Sequence, residues 1–213
     1  MRPTTLLPLL PLLASAAPIP APIPAPAAEP NTQITAQQIQ QIAPKSVNCD
    51  NPPAKGECAT ADQAAPHIAK SFGTYGVTSR AEQAAVIALM AFESEEFRYS
   101  RNHFPGTVGK GTRNMQSPSY NAKYAESIPA ISDKVSAANG DAGQILDILL
   151  ADEEYDFGSG AWFLTTQCDQ GVRQALQSGS EEGWSGYISG CVGTDANEGR
   201  KGYWASAVKA LGV

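Results

Sequence analysis

The sequence of 213 residues contains little histidine and little cysteine, and it has no long apolar run beyond its N-terminal segment. With two histidines, four cysteines and no Cys-x-x-Cys spacing, it shows no recognisable zinc site. No internal apolar stretch reaches the roughly 18 residues typical of a membrane-spanning helix. Sequons for N-linked glycosylation are also missing. We therefore expect no metal, no cofactor and no membrane-spanning segment.

Positive charge is also scarce. The chain has 15 lysines and arginines against 21 aspartates and glutamates, which gives a net charge of −6. Nucleic-acid-binding proteins present a strongly basic face, so this balance argues against a nucleic-acid partner. The length suits one domain that buries a core without metal, and we expect a monomer.

The N-terminal segment has the composition of a secretion leader. Residues 1–17 combine a basic Arg2 with a short apolar stretch and the cleavage-like Ala14-Ser15-Ala16, which is typical of a signal peptide. Residues 18–30 are rich in proline and alanine and read as a propeptide or linker. The remaining residues, 31–213, are predicted to form one secreted, extracellular domain.

The four cysteines fit an oxidising compartment. Three pairings are possible. We favour Cys49 with Cys58 and Cys168 with Cys191, because each pair closes a short local loop.

Helical patterns dominate the chain after residue 31, and no convincing run of alternating strand residues occurs. A capping box at Ser79-Arg80-Ala81-Glu82 precedes the apolar stretch AAVIALMAFES, which predicts a central buried helix. Further helices are predicted over about 120–137, 141–151, 159–178, 181–189 and 197–211. Residues 97–119 form a long loop of the kind that is usually functional. The fold class is mainly α.

Glu93 ends the apolar helix, directly before the long loop. Partial desolvation favours the protonated form of a carboxyl group, and a glycosidase general acid needs that form. A solvated helix end is the alternative, because Glu95 and Glu96 follow. Within the loop, Gly109-Lys110-Gly111 lacks the strand–turn–helix setting of a nucleotide site. Its glycine backbone could instead approach a sugar closely.

Four motifs, in this order and spacing, resemble those of goose-type lysozymes and soluble lytic transglycosylases. Ala91-Phe92-Glu93-Ser94 resembles their Glu-Ser motif, and Arg113-Asn114-Met115-Gln116 resembles their Gly-Leu-Met-Gln motif. The segment 160–164 is similar to their Ala-x-x-Tyr-Leu helix, and Tyr203 to their C-terminal tyrosine. With the Pro/Ala-rich leader, the chain looks like a secreted fungal muramidase of glycoside hydrolase family 184, or 23-like.

The resemblance implies a lysozyme-like single domain that cleaves the β-1,4 bond between N-acetylmuramic acid and N-acetylglucosamine in bacterial peptidoglycan. It implies Glu93 as general acid and then base, with Ser94 beside it placing the sugar. Met115 and Gln116 would line the cleft, and Tyr203 would hydrogen-bond near Glu93. The sequence departs from the family motifs at four positions and adds two acidic residues after Ser94; the six residues are Arg113, Asn114, Gly160, Phe163, Glu95 and Glu96.

Two further elements of the site stay open. Tyr120 and Tyr124 follow the Met-Gln loop one helical turn apart, so they are candidates for stacking on sugars. A second carboxylate could come from Glu96, Glu126 or the acidic run 152–156. Alternatively the substrate's own N-acetyl group or 6-hydroxyl acts as the nucleophile, and no second carboxylate is required.

Two other functions compete with the muramidase. One is a non-catalytic carbohydrate-binding or effector protein on a lysozyme-like fold. The other is a chitosanase or chitinase, whose cationic substrate chitosan would suit the net charge of −6. For an enzyme acting on anionic cell walls, that same charge predicts a working optimum on the acid side.

Overall fold

The computed structural model describes residue 1 and residues 33–213. Within this described part, the chain forms ten α-helices and no extended β-strand. The helices are α1 (Ala36–Ile42), α2 (Ala61–Tyr75), α3 (Arg80–Glu93), α4 (Pro118–Glu126), α5 (Ser132–Ala137), α6 (Ala142–Leu150), α7 (Glu153–Gln167), α8 (Gln170–Gln177), α9 (Glu181–Gly186) and α10 (Glu198–Leu211). The prediction of a mainly α fold is confirmed. The predicted signal peptide and Pro/Ala-rich segment lie outside the described residues apart from Met1.

Helix α3 lies at the centre of the core. Every residue from Ala81 to Ala91 is buried, and the helix packs against α10, α8 and α7. The predicted capping box at its start is wrong, because the Ser79 side chain makes no capping hydrogen bond. Glu82 is buried and pairs instead with Arg173 of α8, with Nε–Oε1 at 2.7 Å. A buried carboxylate needs such a partner more than a helix end needs a cap.

Helix α7 is the second buried helix and joins two apolar clusters. Phe157 and Leu164 face the cluster around α3, whereas Trp162 and Phe163 face a smaller cluster with α4 and α6. The acidic run 152–156 belongs to the start of this helix, with Asp152 as its N-cap. Negative charge is favourable there because the helix dipole is positive at its N-terminus.

Two predicted helices are interrupted in the structure. The predicted helix 159–178 ends at Gln167 and restarts at Gln170, because Cys168 takes an extended conformation with ψ of 139°. The predicted helix 120–137 is divided by a short 3-10 turn over Pro129–Ile131. Proline cannot donate the backbone hydrogen bond that a continuing helix requires.

Both disulfides have the favoured pairing, Cys49–Cys58 and Cys168–Cys191. The second joins the end of α7 to a π-helical turn, Tyr187–Val192, and so closes the loop that contains α8 and α9. Within residues 33–213, no helix has both the length and the apolar character needed to cross a bilayer. Two disulfides fit a protein of an oxidising compartment.

Candidate active site

Glu93 is the last residue of α3, and the chain turns sharply behind it. Glu95, Glu96 and Phe97 have φ angles of 49°, 64° and 66°. These angles lie in the left-handed region of backbone conformation, which residues other than glycine rarely adopt. Ser94 stabilises this turn from inside, since its hydroxyl donates to Met90 O (2.6 Å) and accepts from Phe97 N (2.9 Å). The strained reversal therefore places Glu93 at a corner of the chain.

Arg200 of α10 holds the Glu93 carboxylate. Its Nη2 and Nε both donate to Glu93 Oε1, at 2.7 and 3.2 Å. The guanidinium also donates to Asp195 O at 3.1 Å and lies over the Phe92 ring, 4.4 Å from its centroid. Only 13% of the Arg200 side chain and 19% of the Glu93 side chain are exposed. The carboxylate thus has a fixed orientation, with its second oxygen left for other partners.

A cleft of about 310 Å³ opens beside this pair. Four of the residues predicted for the site line it together, Glu93, Met115, Gln116 and Tyr120. Tyr120 packs edge-on against Phe163, another lining residue, with ring centroids 5.0 Å apart. Val192–Thr194, directly after the Cys191 disulfide, form another part of the lining. The cleft therefore joins the end of α3, the long loop and the segment before α10.

The loop that carries Met115 and Gln116 is shaped by a chain of side-chain hydrogen bonds. Ser159 Oγ donates to Asn114 Oδ1 at 2.7 Å, and Asn114 Nδ2 donates to Gln116 Oε1 at 3.3 Å. Gln116 Nε2 then donates to Asn121 Oδ1 at 2.8 Å. Since all four side chains are buried, each bond matters for the position of the loop. Asn114, a departure from the family motif, is a central member of this network.

Arg113, the other departure in that motif, anchors the loop to the core. Its Nε lies 2.7 Å from Asp156 Oδ2, and both side chains are about 95% buried. Its Nη1 donates to the carbonyls of Glu57 and Phe97, each at 2.8 Å. Burial raises the pKa of Asp156 to about 6, although Arg113 opposes that shift. The Oδ1 atom of Asp156 is buried without a partner, which is consistent with a carboxyl group that ionises reluctantly.

Three residues predicted to contact the substrate lie away from the cleft. Ser94 is fully buried and stabilises the turn behind Glu93. Tyr124 is buried in the smaller cluster and donates to Tyr155 O at 3.1 Å; burial raises the pKa of its hydroxyl. Tyr203 donates to Glu96 Oε1 at 2.8 Å, not to Glu93, and burial together with Glu96 raises its pKa. The sequence spacing predicts that these residues lie near the motifs, but it does not predict which way their side chains point.

The candidate second carboxylates have other partners or positions. Glu96 accepts hydrogen bonds from Lys45 N and Tyr203, and Glu126 is exposed at the end of α4. In the acidic run, Asp152 caps α7, Glu153 pairs with His67, Glu154 pairs with Lys70, and Asp156 pairs with Arg113. Among the described residues, Glu93 is the one carboxylate that lines the cleft. The same residues contain no group of three His, Cys, Asp or Glu placed to hold a metal.

Sequence reasoning missed two cations at the cleft, Lys110 and Arg200. Arg200 is 107 residues from Glu93, and no motif connects them. Lys110 carried a usable signal, because it stands between two glycines in the loop that supplies Met115 and Gln116. The Val192–Thr194 wall could have been placed from the Cys168–Cys191 pairing.

Comparisons with known proteins identify one partial relative. No family model matches the chain, and no solved structure matches it. A bifunctional dioxygenase–epoxy alcohol synthase of Fusarium oxysporum (strain Fo5176) is 48% identical over 157 residues. The match covers 71% of this chain but 12% of that protein. The chain therefore corresponds to a small segment of its relative.

Proposed function

We propose that the chain is a secreted muramidase with a lysozyme-like fold, similar to goose-type lysozymes and lytic transglycosylases. Its substrate is bacterial peptidoglycan, and the bond cleaved is the β-1,4 linkage between N-acetylmuramic acid and N-acetylglucosamine. One observation carries the proposal. Glu93, Met115 and Gln116, which come from two separate family-like motifs, line one cleft with Tyr120.

Under this proposal, Glu93 acts first as the acid and then as the base. Arg200 occupies Oε1, so Oε2 is the oxygen available to carry a proton. The proton passes to the glycosidic oxygen as the bond from C1 to that oxygen breaks. A water molecule later forms the new bond to C1 and returns one proton to Glu93. The net reaction is addition of one water across the glycosidic bond.

The mechanism also needs a nucleophile that attacks C1 in the first step. Most glycosidases place a second carboxylate about 5–9.5 Å from the acid. Because Glu93 is the one carboxylate among the described lining residues, we favour attack by the N-acetyl oxygen of the substrate itself. The ring so formed is then opened by the water that Glu93 activates.

The relative named as a dioxygenase and epoxy alcohol synthase supports an enzyme, but of another reaction class. Dioxygen chemistry is ordinarily carried by haem, flavin, copper or iron. The matched segment is 12% of that protein. Because the match covers so small a part of the relative, neither named activity is carried over to this chain.

The test is digestion of purified peptidoglycan by the wild type, Glu93→Gln and Glu95→Gln, with mass analysis of the released fragments. We expect reducing N-acetylmuramic ends, a loss of about 10²–10⁴-fold in Glu93→Gln, and full activity in Glu95→Gln. Glu95 is the matched control because it is exposed two residues away and carries the same charge. Anhydro ends would instead make the chain a lytic transglycosylase.

A second readout separates catalysis from binding alone. If the wild type releases nothing and Glu93→Gln still binds the glycan, the chain is a non-catalytic carbohydrate-binding protein and the muramidase proposal is overturned.

A further inference from the structure

The Gly109-Lys110-Gly111 segment has no part in the proposed bond cleavage, yet its backbone is tightly constrained. A Cβ on Gly109, whose φ is 78°, would lie 2.6 Å from the Ala142 side chain at the start of α6. A Cβ on Gly111 would lie 2.6 Å from Ser100 O. Both glycines are thus required for close packing against the protein itself. The expectation that they approach a sugar stays a prediction beside this packing role.

The constrained glycines fix the residue between them. Lys110 N donates to Thr107 O and Lys110 O accepts from Asn102 N, each at 3.1 Å. Gly111 also forms bridges to Arg101 and to Gln116, the latter in the cleft loop. The backbone of Lys110 is therefore held on both sides, and Lys110 is one of the residues that line the cleft with Glu93.

The ammonium group of Lys110 is also available to bind a ligand. Among residues 33–213, no carboxylate lies within ion-pair distance of its ammonium group. The other nearby cations have partners, since Arg200 is paired with Glu93 and Lys123 lies 5.3 Å from the centroid of the Tyr120 ring. In a protein with net charge −6, the cleft thus has two lining cations against one lining carboxylate.

We propose that Lys110 binds a carboxylate of the substrate and so selects an anionic glycan over neutral chitin and cationic chitosan. This inference rests on the proposed function and names the substrate class of the same cleft. Lysine suits the role because its ammonium is a compact charge on a flexible stem, able to reach a carboxylate at several positions. In peptidoglycan, that carboxylate belongs either to the lactyl group of muramic acid or to the stem peptide.

The experiment compares binding between variants on one Glu93→Gln background, where cleavage is slowed about 10²–10⁴-fold and Arg200 has lost its Glu93 partner equally in every variant. Dissociation constants are determined by calorimetry for three probes: chitohexaose, a peptide-free N-acetylglucosamine–N-acetylmuramic acid glycan with free lactyl carboxylates, and the same glycan with stem peptides. Lys110→Gln is introduced on this background. Lys134→Gln is the matched control, because it removes the same charge at an exposed position on α5.

We expect Lys110→Gln to weaken binding of an anionic glycan about five- to tenfold, as for loss of one partly solvated charge-assisted contact. Chitohexaose binding should not change, and Lys134→Gln should match the parent for all probes. Weakening for the peptide-free glycan identifies the lactyl carboxylate, and weakening only for the peptide-bearing glycan identifies the stem peptide. The parent should also lose its preference for anionic glycans at high salt.

Equal binding of all probes by Lys110→Gln and its parent would overturn the inference, even if the wild type digests peptidoglycan. Conversely, a Lys110-dependent preference for anionic glycans in a protein that cleaves nothing would overturn the muramidase proposal and leave the inference standing. The two failures are therefore distinguishable.

Discussion

Arg200 donates two hydrogen bonds to a single oxygen of Glu93, from Nη2 at 2.7 Å and from Nε at 3.2 Å. The two residues end one helix and begin another, 107 positions apart in the chain. Because the Arg200 guanidinium itself contacts the Phe92 ring and donates to Asp195 O, it holds the Glu93 carboxylate in a fixed orientation. The pair is thus the part of the site that depends most on the packing of α10 against α3.

Removing the Arg200 guanidinium should lower turnover more than it weakens substrate binding. Arg200→Gln leaves the Glu93 carboxyl group without its two fixed donors, and misplacement of that group should lower kcat about ten- to hundredfold. Steady-state kinetics on soluble peptidoglycan strands would measure kcat and KM separately. Lys201→Gln is the control, since Lys201 pairs with Glu181 in a more exposed bridge. An unchanged kcat in Arg200→Gln would show that Glu93 needs no such support.

The buried Arg113–Asp156 pair should contribute strongly to folding. Arg113→Met leaves Asp156 buried without a cation and removes a donor from the carbonyls of Glu57 and Phe97. We expect a decrease of about 3–5 kcal/mol in the free energy of unfolding, measured by urea denaturation. Arg101→Met breaks an exposed pair with Asp147 and should cost no more than about 1 kcal/mol. Similar losses for the two variants would contradict this prediction.

Asp156 should also make stability depend on pH. Burial raises its pKa from 3.8 to about 6 in the folded protein. Between those values the folded state binds more protons than the unfolded state, so stability due to this group is complete below about pH 4 and is lost by about pH 6 to 7. The free energy of unfolding of the wild type, minus that of Asp156→Asn, should therefore decrease as the pH rises from 4 to 7. An increase over this range would contradict the burial argument.

Gly111 should tolerate no side chain. In Gly111→Ala the new methyl group meets Ser100 O and both Leu146 methyl carbons within 3 Å, so the loop backbone must shift. We expect a loss of about 1–3 kcal/mol in stability and reduced activity, because Lys110 and the Met115–Gln116 segment move with the loop. Gly171→Ala, in an open position of α8, should be neutral or stabilising by up to about 1 kcal/mol. Thermal unfolding and peptidoglycan turnover of both variants provide the comparison.

Local features of the fold were predictable from the sequence. The apolar run after Ser79 gives a buried helix that ends at Glu93, because a helix that is apolar on all sides has to lie in a core. The short spacings of the cysteines were sufficient to favour both disulfides. Glu93, Met115 and Gln116, which the motif resemblance associates with one another, line one cleft.

Contacts between residues far apart in the sequence explain the remaining differences between the predictions and the structure. Glu82 satisfies a capping pattern in sequence, but burial against α8 gives it Arg173 as a partner. Tyr120 and Tyr124 share one helix, yet one lines the cleft and the other fills the core. Arg113 finds Asp156 across 43 residues. Each outcome depends on which element packs nearby, and local spacing carries no information about that.

The disulfide between Cys168 and Cys191 has a consequence for the cleft. The segment Val192–Thr194 follows it directly and forms one wall, although these residues are only partly buried or exposed. The disulfide holds this wall in position, a role that would otherwise require more buried contact area. This wall can therefore stay in contact with solvent and still keep its position, because the adjacent Cys191 is covalently bound to the end of α7.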